Sequence, residues 1–527
     1  MEKRAILAIV LSFVVVMLYQ YFFVKPQVPK QPPPVQTTGQ AAVETTKEPV
    51  APPAAAIEPS RQPISEQDVK VDTPLYTAVF TTRGGALKSF KLKKYRRSLD
   101  RNSPPVELVD AKEGINYPLS LTFPDSSINI PLDEVYRADV GSVELSGENT
   151  GRITFSASYP NKSRIEKVFT FYADRYNFDM EVRFFNSFGQ NLSETALLTW
   201  NQYIDPKAEE AYGHLGPVYY MKNDIHFEDA KKMETKKLGP DVSWGGFESK
   251  YFIAAMIPKQ PSLTSLVLVR NTGNAAVVGL EGPRNIIPSG QTGLFNYSIY
   301  MGPKEYNVLK AQKVGLEESI DFGWIKWLAL PLLVVLKFLY QYVHNYGVAI
   351  IIITIIIKII FWPLGNKSYK SMKEMQKLQP HINELREKFK NDKARLNQEV
   401  MQLYKRYKIN PLGGCLPMII QIPVFFGLYK TLLYSIELRH SPLAFWIQDL
   451  SAKDPYYITP IVMGATMFWQ QKISPQVGDP TQAKLMLLMP VIFTFLFLNF
   501  PSGLVIYWLF NNILSIGQQY YINKRLS

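Results

Sequence analysis

The chain has 527 residues, 58 Lys and Arg against 45 Asp and Glu, and a formal net charge of +13. Its single cysteine, Cys415, excludes an intrachain disulfide, and its five histidines are scattered without metal-ligand spacing. It has no glycine-rich phosphate loop ending in lysine, so we predict no enzyme, catalytic residue, cofactor or metal. A mean hydropathy of −0.07 conceals a polar region before about residue 321 and apolar runs after it.

The N-terminal residues form an apolar segment, Ala5–Val24, that follows Lys3 and Arg4 and has no small-x-small cleavage site. We therefore interpret residues 1–24 as an uncleaved signal-anchor span that begins in the cytoplasm. Residues 25–70 are rich in Pro, Gln, Ala and Thr, and no aromatic residue occurs between Lys25 and Lys70. This composition predicts a disordered linker.

Residues 71–321 contain short alternating apolar runs that turn residues separate. Apolar and charged residues alternate along Phe178–Phe184, and a turn at Ala173–Asn177 joins this run to Val168–Tyr172, which predicts a β-hairpin. We predict an all-β domain of the sandwich type. Its aromatic residues either form the core or line a binding groove. Similar runs occur at Leu75–Phe80, Arg152–Tyr159, Leu263–Arg270 and Phe295–Met301.

The region 322–343 is apolar, but Lys326, Pro331 and Lys337 interrupt it, and only a few residues join it to the next apolar run. A transbilayer hairpin that tight is disfavoured, so we predict an amphipathic helix in the outer membrane interface. Residues 344–527 then provide five further predicted spans. These are Tyr346–Leu364, Gly413–Ile436, Tyr456–Gln471, Leu485–Phe500 and Gly503–Tyr521.

Residues 366–410 carry twelve Lys and Arg against five Asp and Glu, which places this loop in the cytoplasm by the positive-inside rule. An arrangement of six spans with both termini in the cytoplasm agrees with the charge of every loop. In this arrangement the β domain lies outside the cytoplasm. Apolar residues at helical spacing predict a helical hairpin with a turn at Asn391-Asp392. Its basic residues either recruit anionic partners such as lipid or RNA, or simply solvate the surface. The candidates are Lys388, Lys390, Lys393 and Arg395.

Lys358 lies within the run Val348–Trp362, which is otherwise apolar apart from Thr354. A charge inside a span costs about 2.5–3.5 kcal/mol on insertion scales and usually faces a wet cavity or a partner. Lys358 is also only one turn from Trp362 and Pro363, at the expected membrane edge, where a lysine can snorkel. The sequence leaves both interpretations open.

Other polar residues of the predicted spans concentrate toward the cytoplasmic side. A half-channel open to the inside would show this distribution, and hydrogen bonding between helices explains it equally well. Repeated halves, expected of a small-solute carrier, are not evident. The polar residues are Gln421, Asn511, Asn512, Ser515, Gln518 and Gln519, and methionines at 418, 463, 467, 486 and 489 offer an adaptable or simply lipid-facing surface.

The C-terminal part of the chain contains five distinctive motifs, at Asn410–Pro417, Gln421–Pro423, Asp449–Tyr457, Met489–Phe493 and Phe500–Leu504. These motifs resemble the YidC-type membrane protein insertases of Gram-negative inner membranes. The resemblance extends over the whole layout and is densest from Trp324 onward. It implies an α-helical polytopic membrane protein with six spans, a five-helix insertase core and a periplasmic β-supersandwich.

The resemblance implies insertion and chaperoning of integral membrane proteins without an ATPase, alone or with the Sec translocon. Lys358 occupies the position of an intramembrane cation that is usually arginine, and Thr354 and Trp508 match a contact between the second and last spans. The implied substrate groove comprises Lys358, Thr354, Gln421, Tyr507, Trp508, Asn511 and Ser515. The implied sliding surface comprises Met418, Ile422, Phe425, Met489 and Phe493.

The implied partners are nascent membrane proteins, the Sec translocon with its accessory subunits, and anionic lipids. Involvement of the signal recognition particle pathway and the ribosome is expected to be weak, because the tail Asn523–Ser527 is short. The alternative function is a non-inserting assembly or tethering factor that acts through its periplasmic domain.

Overall fold

The computed structural model describes residues 65–110, 112, 115–124, 130–159, 161–205, 213–271, 274–409, 416–474 and 480–526. The predicted first span, most of the predicted linker and Cys415 lie outside these residues. The chain divides into two compact units: the first ends at Ser319 and the second begins at Ile320.

Within its described residues, the first unit is built mainly of β-strands, as the alternating pattern predicts, and a short helix follows the last strand. The predicted runs at 75–80, 152–159, 263–270 and 295–301 all fall on strands. In chain order the elements are β1 (Asp68–Asp72), β2 (Tyr76–Thr81), β3 (Ala86–Arg96), β4 (Pro105–Glu107), β5 (Ser120–Thr122), β6 (Arg137–Ala138), β7 (Ser142–Glu144), β8 (Thr150–Ser158), β9 (Arg164–Tyr172), β10 (Asn177–Phe185), β11 (Leu192–Glu194), β12 (Leu197–Tyr203), β13 (Gly216–Met221), β14 (Asp224–Phe227), β15 (Lys236–Leu238), β16 (Val242–Glu248), β17 (Phe252–Pro258), β18 (Ser265–Asn271), β19 (Ala275–Glu281), β20 (Asn285–Ile287), β21 (Thr292–Pro303) and α1 (Tyr306–Lys310).

These strands form one nine-stranded sheet, two five-stranded sheets and a two-stranded pair. The large sheet has the order β14-β13-β16-β17-β21-β10-β9-β8-β6. The smaller sheets have the orders β4-β3-β2-β1-β7 and β15-β18-β19-β12-β5, and β11 pairs with β20. The predicted hairpin is present as β9 and β10, in which Phe169 pairs with Met180.

Buried aromatic rings fill the space between the sheet that contains β2 and the large sheet. Phe80 of β2 lies 4.7 Å from Phe169 and 5.5 Å from Phe171, measured between ring centroids. Phe90 of β3 lies 6.3 Å from Phe178. These four strands therefore bury their aromatic residues as a core between two sheets, and they do not line a groove.

Two lysine side chains are buried among the described residues of the first unit, and their surroundings differ. Lys304 Nζ donates to Glu248 Oε2 at 2.9 Å, so its charge is paired. Lys167 Nζ donates to the main-chain oxygen of Gly84 at 2.6 Å and lies 5.4 Å from the centroid of the Tyr136 ring. Because burial disfavours the ammonium form, the pKa of Lys167 falls from 10.5 to about 7.

The second unit is helical, and each predicted span from Tyr346 onward coincides with a helix or part of one. The first of these helices continues to Lys377, well beyond the predicted end at Leu364, because the first part of the predicted basic hairpin extends the same helix without a break. The helices are α2 (Lys326–Val343), α3 (Tyr346–Lys377), α4 (Gln379–Lys388), α5 (Lys393–Arg406), α6 (Leu416–Tyr434), α7 (Ile458–Ile473), α8 (Pro480–Phe497) and α9 (Ser502–Leu526).

By length and composition alone, two helical segments of the described residues are long and apolar enough to cross a membrane, Gly323–Val343 and Tyr346–Lys377. The first of these contains α2, for which the sequence predicts an interfacial position, and that position stays a prediction. The shorter segment Met486–Phe497 is also apolar. Within the second unit α9 packs against α3 and α7, and α2 packs against α6.

Polar side chains mark the helix ends. Asn345 Oδ1 accepts from the Val348 N–H at 3.0 Å and begins α3. Asp392 Oδ1 accepts from the Arg395 N–H at 3.0 Å, and α5 begins there, so the turn predicted at Asn391-Asp392 is confirmed.

Asp454 orders the segment that leads into α7. Its buried carboxylate accepts from the Thr459 N–H at 2.8 Å, the Thr459 hydroxyl at 2.7 Å and the Tyr456 N–H at 2.9 Å. Asp454→Ala leaves these donors unpaired, and we expect it to lower the free energy of unfolding by about 2–3 kcal/mol. Thermal unfolding of the purified chain in detergent measures the change. Asp392→Ala, at an exposed cap, is the control and should cost about 1 kcal/mol or less; equal losses would contradict the prediction.

Candidate functional site

A cluster of hydrogen-bonded polar side chains surrounds Lys358, which lies on α3 and is partly buried. Its Nζ donates to Ser515 Oγ at 2.6 Å and to Asn511 Oδ1 at 3.4 Å, both on α9. Gln421 of α6 donates from Nε2 to the same Asn511 oxygen at 2.8 Å. The structure thus brings together four of the seven predicted groove residues, from three helices.

Lys358 has neutral hydrogen-bond partners, a hydroxyl and an amide. Among the described residues it forms no ion pair, in contrast to the buried Lys304 of the first unit. The Ser515 hydroxyl also donates to the main-chain oxygen of Asn511 at 2.7 Å, which holds its oxygen toward the lysine. The arrangement orients the ammonium group and leaves its charge uncancelled, so a carboxylate from another molecule would bind it favourably.

The other polar residues of α9 serve different neighbours. Asn512 Nδ2 donates to Thr466 Oγ1 at 3.3 Å, and Gln519 Nε2 donates to the main-chain oxygen of Ile473 at 2.8 Å, so both bind α7. Gln518 binds α3. Hydrogen bonding between helices, one of the two interpretations left open by the sequence, is therefore present at these three residues and also between Lys358 and α9. The half-channel open to the inside stays a prediction.

Thr354 lies outside the cluster. Its hydroxyl donates to the main-chain oxygen of Ile350 in its own helix at 2.6 Å, and it is buried. Tyr507 is also buried, and its hydroxyl lies beside the Gln421 amide without a hydrogen bond of good geometry. The structure gives Trp508 aromatic neighbours and records no hydrogen bond between it and Thr354.

Trp508 is the centre of what we call the aromatic layer, formed by Phe425, Phe493, Phe497 and Trp508. The Trp508 ring centroid lies 4.8 Å from Phe425, 5.2 Å from Phe497 and 5.9 Å from Phe493. Edge-to-face and stacked rings at these separations are stabilising. Along α9 the layer lies on the N-terminal side of Asn511.

The predicted sliding surface is divided by the structure. Phe425 and Phe493 belong to the aromatic layer and pack into the core of the second unit. Ile422 and Met489 are exposed or half-exposed and keep a surface for lipid or substrate. The side chain of Met418 lies outside the described residues.

The predicted recruitment residues of the cytoplasmic hairpin are exposed at Lys388, Lys390 and Arg395, and the side chain of Lys393 lies outside the described residues. Lys388 and Arg395 lie 5.6 Å and 5.5 Å from the Phe389 ring centroid. These cation–π contacts order two of the charges at the hairpin turn and leave them accessible.

The sequence reasoning missed two ion pairs, which join α6 and the residues just after it to the segments before it. Lys430 Nζ lies 2.8 Å from Asp321 Oδ2, and Lys337 Nζ lies 3.0 Å from Glu437 Oε1. The charge of Lys337, which interrupts the apolar pattern of α2, is thus paired. A search for opposite charges flanking the apolar runs could have found both pairs. Among the described residues, no group of three or more His, Cys, Asp or Glu could hold a metal.

Comparisons with known proteins agree with this architecture. The family model for the YidC periplasmic domain matches residues 68–335, and the model for the 60Kd inner membrane protein matches residues 338–527. A protein of Syntrophus aciditrophicus (strain SB) named membrane protein insertase YidC is 62% identical, with 100% of both chains covered. One of the same name from Citrifermentans bemidjiense is 43% identical, again with 100% of each covered.

A solved structure of an active YidC insertase, with its first transmembrane domain resolved, aligns with a TM-score of 0.38 at 20% identity, covering 98% of this chain and 99% of that chain. The family models and relatives define an inner-membrane protein with a β-rich periplasmic region and a helical C-terminal region. The chain belongs to the YidC family of membrane protein insertases, so the resemblance seen in the sequence is confirmed. Insertase is a non-enzymatic role, and the chain is not an enzyme.

Proposed function

We propose that this protein inserts integral membrane proteins into the bacterial inner membrane and assists their folding, alone or with the Sec translocon. The observation that carries the proposal is the uncancelled charge of Lys358, held by Ser515 and Asn511 between apolar helices. A group this costly is retained in a span when it serves a function. In this proposal the cluster lines a hydrophilic groove open to the cytoplasm and to lipid.

The first step is reception of the nascent chain by the exposed basic residues of the cytoplasmic hairpin. The nascent chain carries a short hydrophilic tail, and an acidic residue of this substrate tail then replaces Ser515 and Asn511 as the partner of Lys358. The exchange lowers the desolvation barrier of the tail, because a charge-assisted bond replaces part of its hydration. Lysine makes this contact as a point charge, without the bidentate fork of arginine.

The second step is release of the apolar segment into lipid along α6 and α8, where Ile422 and Met489 offer apolar surface. Burial of apolar area, at about 25 cal/mol per Å², drives this step. The membrane potential assists an acidic tail by about 2.3 kcal/mol per charge per 100 mV.

The proposed arrangement has six spans, both termini in the cytoplasm and the large β domain in the periplasm. The proposed partners are nascent membrane proteins, the Sec translocon and its accessory subunits, and anionic lipids at the basic hairpin. The signal recognition particle pathway and the ribosome are further proposed partners.

Deletion of residues 71–309 tests the proposal against the tethering alternative. If the helical unit performs insertion, proteoliposomes with the deleted chain should retain most protease protection of a small two-span substrate. A tethering factor would lose nearly all of it. Empty liposomes provide the background, and a solute-flux assay on the same proteoliposomes tests for a carrier.

A further inference from the structure

Gln518 lies on α9 just beyond Asn511 and Ser515, the two residues that bind Lys358. Asn511, Ser515 and Gln518 follow one another at spacings of four and three, which places them on one face of the helix. Gln518 Nε2 donates to the main-chain oxygen of Trp362 at 3.1 Å and to Asn366 Oδ1 at 3.0 Å. The face of α9 that binds Lys358 therefore binds α3 again one to two turns further along.

Gly365 makes room for this contact. A Cβ atom at position 365 would lie 2.6 Å from Gln518 Nε2 and 3.0 Å from its Oε1. Glycine inside a helix lowers the stability of the helix by about 1 kcal/mol relative to alanine. A glycine within α3 is therefore expected to allow a contact that compensates for this loss. Here it permits a buried amide to reach the backbone of the neighbouring helix.

We infer that Gln518 is a positioning residue that fixes the register between α9 and α3 and so keeps Asn511 and Ser515 opposite Lys358. This inference rests on the proposed function. A substrate carboxylate would compete for the bonds made by Lys358, whereas the bonds of Gln518 to Trp362 and Asn366 use other atoms. The contact can therefore hold the two helices together while the lysine is engaged.

Insertion rates of three variants test the inference. Gln518→Ala removes the amide, and Gly365→Ala displaces it by occupying its space. We expect each to slow insertion of a substrate with an acidic tail about three- to tenfold, the effect of one hydrogen bond between membrane helices. Because both remove the same contact, the double variant should be no slower than either single variant. Additive losses in the double variant would overturn the inference.

Gln519→Ala is the matched control, because Gln519 is the same residue type on the same helix and donates to Ile473 of α7. It should slow insertion less than Gln518→Ala, and it should act equally on substrates with acidic and neutral tails. Gln518→Ala should affect the acidic tail more. If Gln518→Ala and Gln519→Ala slow insertion of both substrates equally, Gln518 only stabilises the packing of the helices as Gln519 does. That result would overturn the positioning role.

The register itself can be measured without an insertion assay. In a Cys415→Ser background, spin labels at the exposed positions Ile360 and Tyr520 report the distance between α3 and α9. We expect one narrow distance in the parent and in Gln519→Ala, and a broader or shifted distribution in Gln518→Ala and Gly365→Ala. An unchanged distribution in the last two would overturn the inference. If the parent chain inserts no substrate, the proposed function fails, and if Lys358→Ala inserts normally, the proposed role of Lys358 fails. In either case this distance measurement still decides whether Gln518 fixes the register.

Discussion

Proteoliposomes that contain Lys358→Glu are expected to lose insertion of a substrate with an acidic tail, whereas Lys358→Arg retains it. At 4 Å and an effective dielectric constant of about 20, a charge pair contributes about 4 kcal/mol, or about a thousandfold in an equilibrium. The glutamate replaces this attraction by repulsion. Arginine keeps the charge and adds donors that suit a carboxylate. Protease protection of a small two-span substrate is the measurement.

The control for Lys358 is the alanine variant together with a substrate whose tail lacks acidic residues. Lys358→Ala should lose protection of the acidic substrate and lose less with the neutral one, because the charge then has no partner to attract. Equal activity of Lys358→Glu and Lys358→Arg would contradict the groove mechanism. Protection unchanged in Lys358→Ala would leave Lys358 as a snorkelling residue.

Lys167→Met is expected to stabilise the first unit at pH 7 by about 2–3 kcal/mol. The pKa of Lys167 is about 7 in the folded protein and 10.5 when the side chain is exposed. Between these values the unfolded chain binds more protons, so stability is lowest below pH 7 and rises toward pH 10. The difference corresponds to roughly 4–5 kcal/mol, and the unpaired oxygen of Gly84 in the variant offsets part of the gain.

Urea unfolding followed by the fluorescence of the buried Trp200 and Trp244 measures this prediction between pH 6 and 10. Lys167→Met should remove most of the rise in stability with pH. The matched control is Lys304→Met, the same change at a lysine whose charge is paired with Glu248. It should destabilise by about 3–5 kcal/mol, because the buried carboxylate loses its lysine and keeps only the His214 ring nitrogen, 3.4 Å away, beside it. A parent stability that does not change between pH 7 and 10 would refute the prediction.

Local patterns predicted the elements well. The hairpin β9–β10 joins residues close in sequence, and alternation with turn chemistry was enough to find it. Helical spacing and the Asn391-Asp392 turn located the cytoplasmic hairpin. The sheet orders were beyond reach, because β10 also pairs with β21, more than a hundred residues away: Asn177 lies opposite Tyr300. Periodicity shows which face of a strand is buried, but it does not identify the partner strand.

The sequence allowed the polar residues of the candidate site to be listed, but it did not allow their contacts to be predicted. Lys358, Gln421, Asn511 and Ser515 were found because polar groups are rare in apolar spans. Their division from Asn512 and Gln519 depends on how α9 is rotated between α3 and α7, which packing decides. The alternation along β9 places Lys167 on the same face as the buried Ile165 and Phe169, but alternation does not show that the buried ammonium group lacks a carboxylate partner.

The aromatic layer also bears on how an energised membrane stays sealed. The rings of Trp508, Phe425 and Phe497 pack on one another, and Phe497 stacks on Phe500 at 4.8 Å. In the proposed orientation they stand between the polar cluster at Lys358 and the periplasm. An unpaired ion entering such apolar packing would lose its hydration without compensation. Under the proposed mechanism, a polypeptide would leave the groove sideways into lipid, and the aromatic layer would hinder protons and sodium ions from crossing beside it, which would help to maintain the ion gradient.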